Sequence, residues 1–544
     1  MALPEPGSSE REKLTLRLCW AVAITLLITH ATLAWLGRIP AVTPAANDDA
    51  LYLLLAKSLR AFQYVDQHVV GSPGHAQYPP AYPASLALAG LVFGSSLDAA
   101  QAVTILFSTL ALLLIFDLAR RFAGPVVAVF TLAPLVFNKL FLTYAGRVST
   151  EPPYLAFSVA ALWVLTCLPE SKKQYFIAGA LAILAAMTRS IGVSLVGAVI
   201  LLWLLQRKFR PALVMTAVSA VTVGGWLYWT TIAPLQFTER SYAAVATSTA
   251  QHFSGPVGLV VTRTINFGKV YLAKSFAAGL TVPTIENNWV DNGFWLAMFL
   301  CFGAIGFWAI RRRAPAIPLY FLAYCGVLLL YPYKMTRFAV PVEPLLLMAT
   351  MVGIVVALKR WPRPALLLMA LISAAIVSNT APAGWRMARA LRDCDRSQAL
   401  VSSECFAEDR LAFFEATRFA RATLPPDAAV LTIKEATFYY YTGHRVLHPD
   451  LAMQKGKGDV LGFIRNKGIE YVLVTPFVGG AEIIPDLIPQ CERVELLKDF
   501  GHRTILLRIH DSMQGVERNA CSNLHNIQKS ILDDRAEEAP ETSL

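Results

Sequence analysis

The sequence carries little charge for its length. Only 16% of its 544 residues are Asp, Glu, Lys or Arg, whereas soluble domains have about 25%. Apolar residues make up 55%, and several apolar runs approach the roughly 20 residues that a membrane-spanning helix needs. The composition therefore argues against an ordinary soluble enzyme and predicts a polytopic α-helical membrane protein.

Other features are also missing. The sequence has no CxxC motif and no Cys/His spacing typical of zinc, so we expect no structural zinc site. The first apolar segment is not followed by a convincing small-residue cleavage site, and we interpret it as a retained helix.

The net charge is +11, and the basic residues lie in short clusters between apolar runs. Cytoplasmic loops collect Lys and Arg in this way, so the charge argues against nucleic-acid binding.

The apolar segments predict eleven membrane spans. They lie at about 18–36, 98–119, 124–145, 152–168, 174–188, 190–206, 211–232, 293–310, 316–332, 338–358 and 365–380. With the N-terminus in the cytoplasm, every strong basic cluster falls on the cytoplasmic side. One helix through 174–206 would be too long for the bilayer, so we predict a hairpin with Arg189 at its outer tip.

Two long connections are predicted on the outer face. The apolar run 78–94 is too short after its last proline to span, so residues 37–97 are interpreted as one loop with segments lying on the membrane. Counting that run as a span would also place the basic pair Arg120-Arg121 outside. Residues 233–292 form the second predicted outer loop, because several basic residues interrupt its apolar character.

The composition changes near residue 384, where charge rises to the level of a soluble domain. Short buried strands are predicted at 428–433, 471–476 and 504–509, and helices at 408–424 and 458–468. The odd number of spans places this small α/β domain outside the cell. We therefore predict a membrane domain over 1–383, an extracytoplasmic α/β domain over 384–515 and a disordered tail over 516–544.

The eight cysteines divide evenly between the two predicted domains. Those in the spans are Cys19, Cys167, Cys301 and Cys325, and those in the outer domain are Cys394, Cys405, Cys491 and Cys521. An even number in an oxidising compartment allows two disulfides, with three possible pairings. We favour a bond between Cys394 and Cys405.

Acidic, basic and tyrosine side chains gather on the predicted outer face. The candidate site residues are Asp48, Asp49, Tyr78, Tyr82, Arg147, Glu151, Arg189, Tyr333, Lys334 and Arg337. Transport pathways usually place ionisable groups at the middle of the bilayer, so this arrangement favours chemistry on a lipid headgroup. The Arg and Lys side chains are candidate ligands for a phosphate. One acid of the first loop is a candidate general base.

Each candidate also has a purely structural explanation. Asn47, Asp48 and Asp49 suit the start of a helix, where an N-cap and negative charge are favourable. Glu151 precedes two prolines and also suits a helix start. Arg189 suits a hairpin tip, and the remaining cations and tyrosines suit anchors at the membrane surface.

Six segments share an order and spacing with a known family. They are the acid pair followed by "LYLLLAKSL" (51–59), "YPPAYPASLALAGLVFG" (78–94), "RVSTEPPYLAFSVAALWVL" (147–165), "AAMTRSIGVSLVGAVILLWLL" (185–205), "YKMTRFAVPVEPLLLMA" (333–349) and "YYYTGHR" (439–445). Together they resemble the GT-C glycosyltransferases. The resemblance is closer to the bacterial dolichyl-phosphate-mannose-protein mannosyltransferases and their aminoarabinose-transferase relatives.

The resemblance implies a GT-C fold and an inverting transfer of a sugar from a polyprenyl-phosphate donor. The reaction would take place on the extracytoplasmic side of the inner membrane, with a glycan, a lipid or a protein as acceptor. It implies that the first-loop acid is the general base. We expect Asp48 to act, with Asp49 assisting, while Tyr78, Tyr82, Glu151 and Tyr333 contact the substrate.

No cofactor is expected. A divalent metal bound by Asp49 and Glu151 is the weaker alternative, because so few oxygen ligands make a weak site. Two other functions also stay open. A flippase or transporter of lipid-linked saccharides predicts repeat symmetry and mid-span charges. A non-catalytic scaffold predicts that the acid pair tolerates asparagine.

Overall fold

The computed structural model describes residues 10–44, 48–232, 256–276, 280, 289–330, 335–456, 459–513 and 516–538. The chain divides into two compact units. The helical unit contains the described residues of 10–38, 76–232 and 256–392. The α/β unit contains the described residues of 39–75 and 393–538.

Helices account for most of the described chain. Their bounds are α1 (Glu10–Leu36), α2 (Asp48–Arg60), α3 (Ala81–Phe93), α4 (Leu97–Ala123), α5 (Pro125–Phe137), α6 (Lys139–Ala145), α7 (Glu151–Cys167), α8 (Lys172–Ala186), α9 (Val193–Leu205), α10 (Phe209–Ser219), α11 (Gly225–Ile232), α12 (Pro256–Phe267), α13 (Trp289–Ile310), α14 (Ala316–Leu330), α15 (Glu343–Ala357), α16 (Pro362–Asp393), α17 (Glu408–Thr423), α18 (Glu435–Thr442), α19 (Pro449–Lys455), α20 (Val460–Asn466), α21 (Ile484–Leu487) and α22 (Cys521–Glu538).

Several of these helices have the length and composition of membrane spans. Within the described residues, five qualify: α1, α4, the stretch Phe209–Ile232, the part of α13 from Gly293 and α16. The pair α5 and α6 is bent by 64° and makes a sixth if it counts as one span. The prediction of a polytopic helical membrane protein is confirmed. The count of eleven spans stays a prediction, because several of the helices concerned have fewer than 18 residues.

The hairpin predicted at 174–206 is present as two separate helices. Helix α8 ends at Ala186, a short 3-10 turn covers Ser190–Gly192, and α9 begins directly after it. Gly192 is required in this turn, because a Cβ atom there would lie 2.5 Å from the Cα atom of Ala186. The tight turn fixes the backbone at Arg189.

Helices α13 and α15 pack with their backbones in direct contact. A Cβ atom added at Gly306 would lie 1.7 Å from the carbonyl oxygen of Ala349, and one at Gly353 would lie 1.8 Å from that of Phe302. Only glycine allows this approach, which is how closely packed membrane helices commonly associate.

Replacing Gly306 with alanine is expected to lower the melting temperature of the detergent-solubilised protein. Overpacking of this kind costs about 1–3 kcal/mol. Gly326 in α14 gives a matched control, because a Cβ atom there meets nothing within 4 Å. G326A is expected to leave the melting temperature nearly unchanged, and equal losses in both variants would contradict the packing argument.

The α/β unit is built on a five-stranded sheet. Its strands are β1 (Ala429–Leu431), β2 (Val446–Leu447), β3 (Ile469–Val474), β4 (Val494–Asp499) and β5 (Ile505–Ile509), in the order β2-β1-β3-β5-β4. The first three strands are parallel, and β5 and β4 continue the sheet antiparallel. The three strands predicted from the sequence match β1, β3 and β5, and the two predicted helices match α17 and α20.

The first predicted outer loop is shared between the two units. Residues 39–75 group with the α/β unit, whereas residues 76–97 group with the helical unit. Val69 forms a parallel bridge with Val446, and the N–H of Val446 donates to the carbonyl oxygen of His68 at 2.8 Å. This segment therefore pairs with the edge strand β2. Helix α2, expected to lie on the membrane, packs against α18 within this unit.

The end of the chain also differs from the prediction. Helix α16 continues to Asp393, so the α/β unit begins there rather than at 384. The tail predicted to be disordered instead forms α22 up to residue 538. Leu524 and Ile527 of this helix lie in the core of the unit, and a disulfide joins Cys491 to Cys521 at its start. The two core side chains and the disulfide order a segment whose polar composition predicted disorder.

The other disulfide is the predicted one, between Cys394 and Cys405. The prediction for the second outer loop, 233–292, falls largely outside the described residues. The part that is described contains α12 and a π-helical segment, Gly268–Phe276.

Candidate functional site

A buried ion pair joins the start of α7 to the hairpin turn that follows α8. Glu151 is the first residue of α7, and Arg189 follows α8. An Arg189 Nη1 atom lies 2.5 Å from Oε1 of Glu151, and the two side chains are 11% and 4% exposed. Arg189 Nη1 also donates to the hydroxyl of Thr150 at 3.0 Å. The sequence placed these two charges on one face, and the structure brings them into direct contact.

A second arginine lies beside this pair. Arg337 is in the 3-10 turn Thr336–Phe338, and the guanidinium carbons of Arg337 and Arg189 lie 5.5 Å and 5.6 Å from the ring centre of Phe338. The hydroxyl of Tyr324 in α14 donates to the carbonyl oxygen of Phe338 at 2.6 Å. Helix α14 thereby fixes the turn that carries Arg337.

Tyr144 connects these groups to a third arginine. Its hydroxyl interacts electrostatically with Glu151, Arg337, Arg189 and Arg147. We call Arg147, Arg189, Arg337 and Glu151 the arginine cluster. Three guanidinium groups and one carboxylate leave an excess of positive charge among these four side chains. Guanidinium groups bind phosphate oxygens through a fork of donors, so the cluster is suited to an anionic ligand.

Other predicted members of the site have different surroundings. Tyr82 is fully buried, and its hydroxyl lies 2.7 Å from that of Thr104 in α4, which indicates a packing role. Tyr78 is also buried, at 9% exposure. Lys334 and Tyr333 lie outside the described residues. The substrate contacts predicted for the three tyrosines and the phosphate contact predicted for Lys334 stay predictions.

Three buried tyrosines near the arginine cluster were missed from the sequence. The hydroxyls of Tyr154 in α7 and Tyr320 in α14 lie 2.9 Å apart, and Tyr324 lies one helical turn beyond Tyr320. Tyr154 and Tyr324 both interact electrostatically with Arg189. The i, i+4 spacing of two tyrosines in an apolar helix was the available signal, because that spacing places them on one face.

The acid pair belongs to the α/β unit. Asp48 and Asp49 open α2, where negative charge is favourable against the helix dipole. Asp49 is 1% exposed, whereas Asp48 is only partly buried. The segment before the pair is fixed by Tyr441 of α18, whose hydroxyl donates to the carbonyl oxygen of Val42 at 2.8 Å.

Tyr441 also interacts electrostatically with Asp49. Burial raises the pKa of its hydroxyl, and the neighbouring Tyr440 and the charge of Asp49 raise it further. The hydroxyl therefore stays protonated and keeps its hydrogen bond to Val42 across the physiological range. Tyr441 lies in the segment "YYYTGHR", so the structure gives this part of the resemblance a local role in holding the segment around Val42.

Metal binding was the weaker alternative for Asp49 and Glu151. Across the described residues, no group of three or more His, Cys, Asp or Glu side chains is close enough together to hold a metal ion. The expectation of a metal-independent reaction stays a prediction.

Comparisons with known proteins place this geometry in context. Residues 77–229 match the model of the dolichyl-phosphate-mannose-protein mannosyltransferase family. No curated protein matches the sequence significantly. Among solved structures, ArnT from Cupriavidus metallidurans bound to undecaprenyl phosphate is 14% identical, with 92% of this chain and 98% of that chain covered and a TM-score of 0.53.

A second solved structure has a similar fold. The oligosaccharyltransferase of Archaeoglobus fulgidus, in complex with Zn and sulfate, is 13% identical, with 83% of this chain and 67% of that chain covered and a TM-score of 0.53. At such identities the likeness concerns the fold. The comparisons confirm the resemblance inferred from the sequence: the chain has the GT-C fold and is similar to the dolichyl-phosphate-mannose-protein mannosyltransferases over residues 77–229.

Proposed function

We propose that this protein is a glycosyltransferase that moves a sugar from a polyprenyl-phosphate donor to an acceptor on the extracytoplasmic side of the plasma membrane. The observation that carries the proposal is the arginine cluster. It is a net positive group of partly buried arginines around the buried Glu151, in a chain whose fold resembles ArnT, a protein solved with undecaprenyl phosphate bound.

The cluster would bind the phosphate of the donor. Arg189 is held by Glu151 and Thr150, so its guanidinium is oriented before the ligand arrives. Arg337 is held in a turn that Tyr324 fixes through Phe338. Donors fixed in advance stabilise charge that develops during a reaction without further reorganisation. Here that charge is the negative charge left on the polyprenyl phosphate as its bond to the sugar breaks.

The acid pair would supply the base. A hydroxyl of the acceptor attacks the anomeric carbon, the bond from that carbon to the phosphate oxygen breaks, and the phosphate leaves with the electron pair. The proton of the hydroxyl passes to a carboxylate. Attack opposite the leaving group inverts the anomeric centre, and one carboxylate is sufficient for this route.

Asp48 is the better candidate for that base. It is partly accessible, whereas Asp49 is buried and lies in the electrostatic environment of Tyr441. A base must come within hydrogen-bond reach of the proton that it takes. Asp49 would then support the local structure and charge around Asp48.

The phosphate-binding role can be tested with undecaprenyl phosphate as the probe. In native mass spectrometry of the full chain, R337Q is expected to weaken binding of this lipid at least tenfold, because one charge-assisted contact is lost. Arg386, which is exposed on α16, gives a matched control, and R386Q is expected to bind the lipid like the unmodified protein. Equal binding by R337Q and R386Q would contradict the assignment.

A further inference from the structure

The α/β unit contains a cleft that the proposed transfer reaction does not use. Its volume is about 260 Å³, and it lies between helix α17, the segment Leu400–Val401 and the turn that joins β4 to β5. Pockets for drug-sized ligands measure about 300–1,000 Å³, so this cleft is suited to a smaller ligand.

One part of the cleft wall is apolar, and the rest is polar. Leu400, Leu411 and Ala412 line the apolar part, together with the ring of Phe500. The Phe500 ring packs edge-to-face against Phe419, with the ring centres 5.7 Å apart, and Nζ of Lys498 lies 5.0 Å from its centre. An aromatic side chain in the wall of a cleft offers apolar surface to the apolar part of a ligand.

The polar lining residues include both hydrogen-bond acceptors and hydrogen-bond donors. Glu408 and Glu415 offer acceptors, and Arg418 and His502 offer donors. Glu408 lies 3.1 Å from His502, and Glu415 lies 2.8 Å from Lys498 outside the lining. Because each acid already has a basic neighbour, the cleft carries no strong charge of one sign. This argues against a phosphate and against a polycation as its ligand.

The turn that carries His502 is held in a fixed conformation. Gly501, His502 and Arg503 have φ angles of 76°, 48° and 56°, which two non-glycine residues in succession rarely adopt. Arg503 donates to the hydroxyl of Ser530 in α22 at 2.5 Å, and the N–H of Phe500 donates to the carbonyl oxygen of Thr504 at 2.9 Å. Left-handed conformations are strained for residues other than glycine and persist where the surroundings enforce them.

We infer that this cleft binds a small neutral saccharide. A sugar ring has an apolar C–H face, which matches Phe500 and the apolar side chains beside it. Its hydroxyls both donate and accept hydrogen bonds. The polar residues that line the cleft supply acceptors and donors for these hydroxyls. The inference extends beyond the proposed transfer, since binding here does not depend on the acid pair or on the arginine cluster.

The test is binding of free neutral sugars to the full chain in detergent, followed by saturation-transfer NMR. The probes are mannose, glucose, galactose and N-acetylglucosamine, with inorganic phosphate and a Lys-rich peptide as comparators. At least one neutral sugar is expected to bind, and phosphate is not. Absence of sugar binding, or preferential binding of phosphate or the peptide, would overturn the inference.

Three variants test whether the neutral sugars bind in this cleft. Val401 is 49% exposed, so V401W places a large ring in the cleft without altering the core. This variant is expected to weaken sugar binding at least tenfold. E415Q is expected to weaken it as well. Tyr440 is 40% exposed on the same unit and does not line the cleft, so Y440A is the control that keeps full binding. Sugar binding that survives V401W would place it elsewhere.

The proposed transfer reaction and the proposed saccharide cleft can be contradicted independently of each other. D48N is expected to lower the turnover of transfer strongly and to leave sugar binding in the cleft intact. Loss of sugar binding in D48N would contradict the independence of the cleft. Intact transfer in D48N would contradict the proposed base and leave the cleft unaffected.

Discussion

Replacing Asp48 with asparagine is expected to lower the turnover of sugar transfer by about 100- to 10,000-fold, the usual contribution of a general base. Asparagine has nearly the same shape as aspartate and also suits the start of a helix, so α2 should be retained. What is lost is the ability to take a proton from the acceptor hydroxyl. The loss is therefore expected in turnover rather than in affinity for the donor.

The measurement compares initial rates of D48N, D49N and D427N in the full chain. Asp427 is an exposed acid of the same unit, and D427N is expected to transfer at the unmodified rate. D49N is expected to lower stability as well, because Asp49 is 1% exposed and packs inside the unit. Near-normal turnover in both D48N and D49N would remove the base assignment and favour the scaffold alternative.

Replacing Arg189 with glutamine is expected to have the second large effect. It leaves Glu151, which is 4% exposed, without its ion-pair partner inside the protein. Removing one partner of a buried pair typically costs about 3–5 kcal/mol, because an uncompensated charge stays buried. R189Q is therefore expected to melt at a lower temperature and to bind undecaprenyl phosphate poorly.

The double variant E151Q/R189Q separates structure from function. With both charges removed, the stability is expected to recover, because two neutral side chains need no ionic compensation. Donor binding and transfer are not expected to recover, because the guanidinium that we propose as a phosphate ligand is still absent. Full transfer by the double variant would show that the pair serves only to hold α7 against the hairpin turn.

Local patterns predicted much of the fold. The hairpin at Arg189 followed from helix length, and the strands β1, β3 and β5 followed from apolar runs. The disulfide between Cys394 and Cys405, which we favoured among the possible pairings, is present. These features depend on residues close together in sequence. They are the part that composition and periodicity can specify.

The contacts of the site depend on residues far apart in sequence. Glu151 and Arg189 were both predicted on the outer face, but their direct pairing depends on how α7 packs beside α8. The amphipathic pattern of α2 shows that one face is buried, and it does not distinguish a membrane surface from the α18 helix that covers it. Helix α22 has a polar composition, and its order depends on the bond between Cys491 and Cys521 and on two core side chains.

The central claim is that this protein transfers a sugar rather than moving a lipid-linked saccharide across the membrane. The direct test uses membranes from a deletion strain, which retain unmodified acceptors, with purified protein and undecaprenyl-phosphate sugars labelled in the sugar. We predict that label leaves the donor lipid for an acceptor, with release of undecaprenyl phosphate and an inverted anomeric centre. Label that stays on the donor lipid and only changes leaflet would contradict the account and favour a flippase.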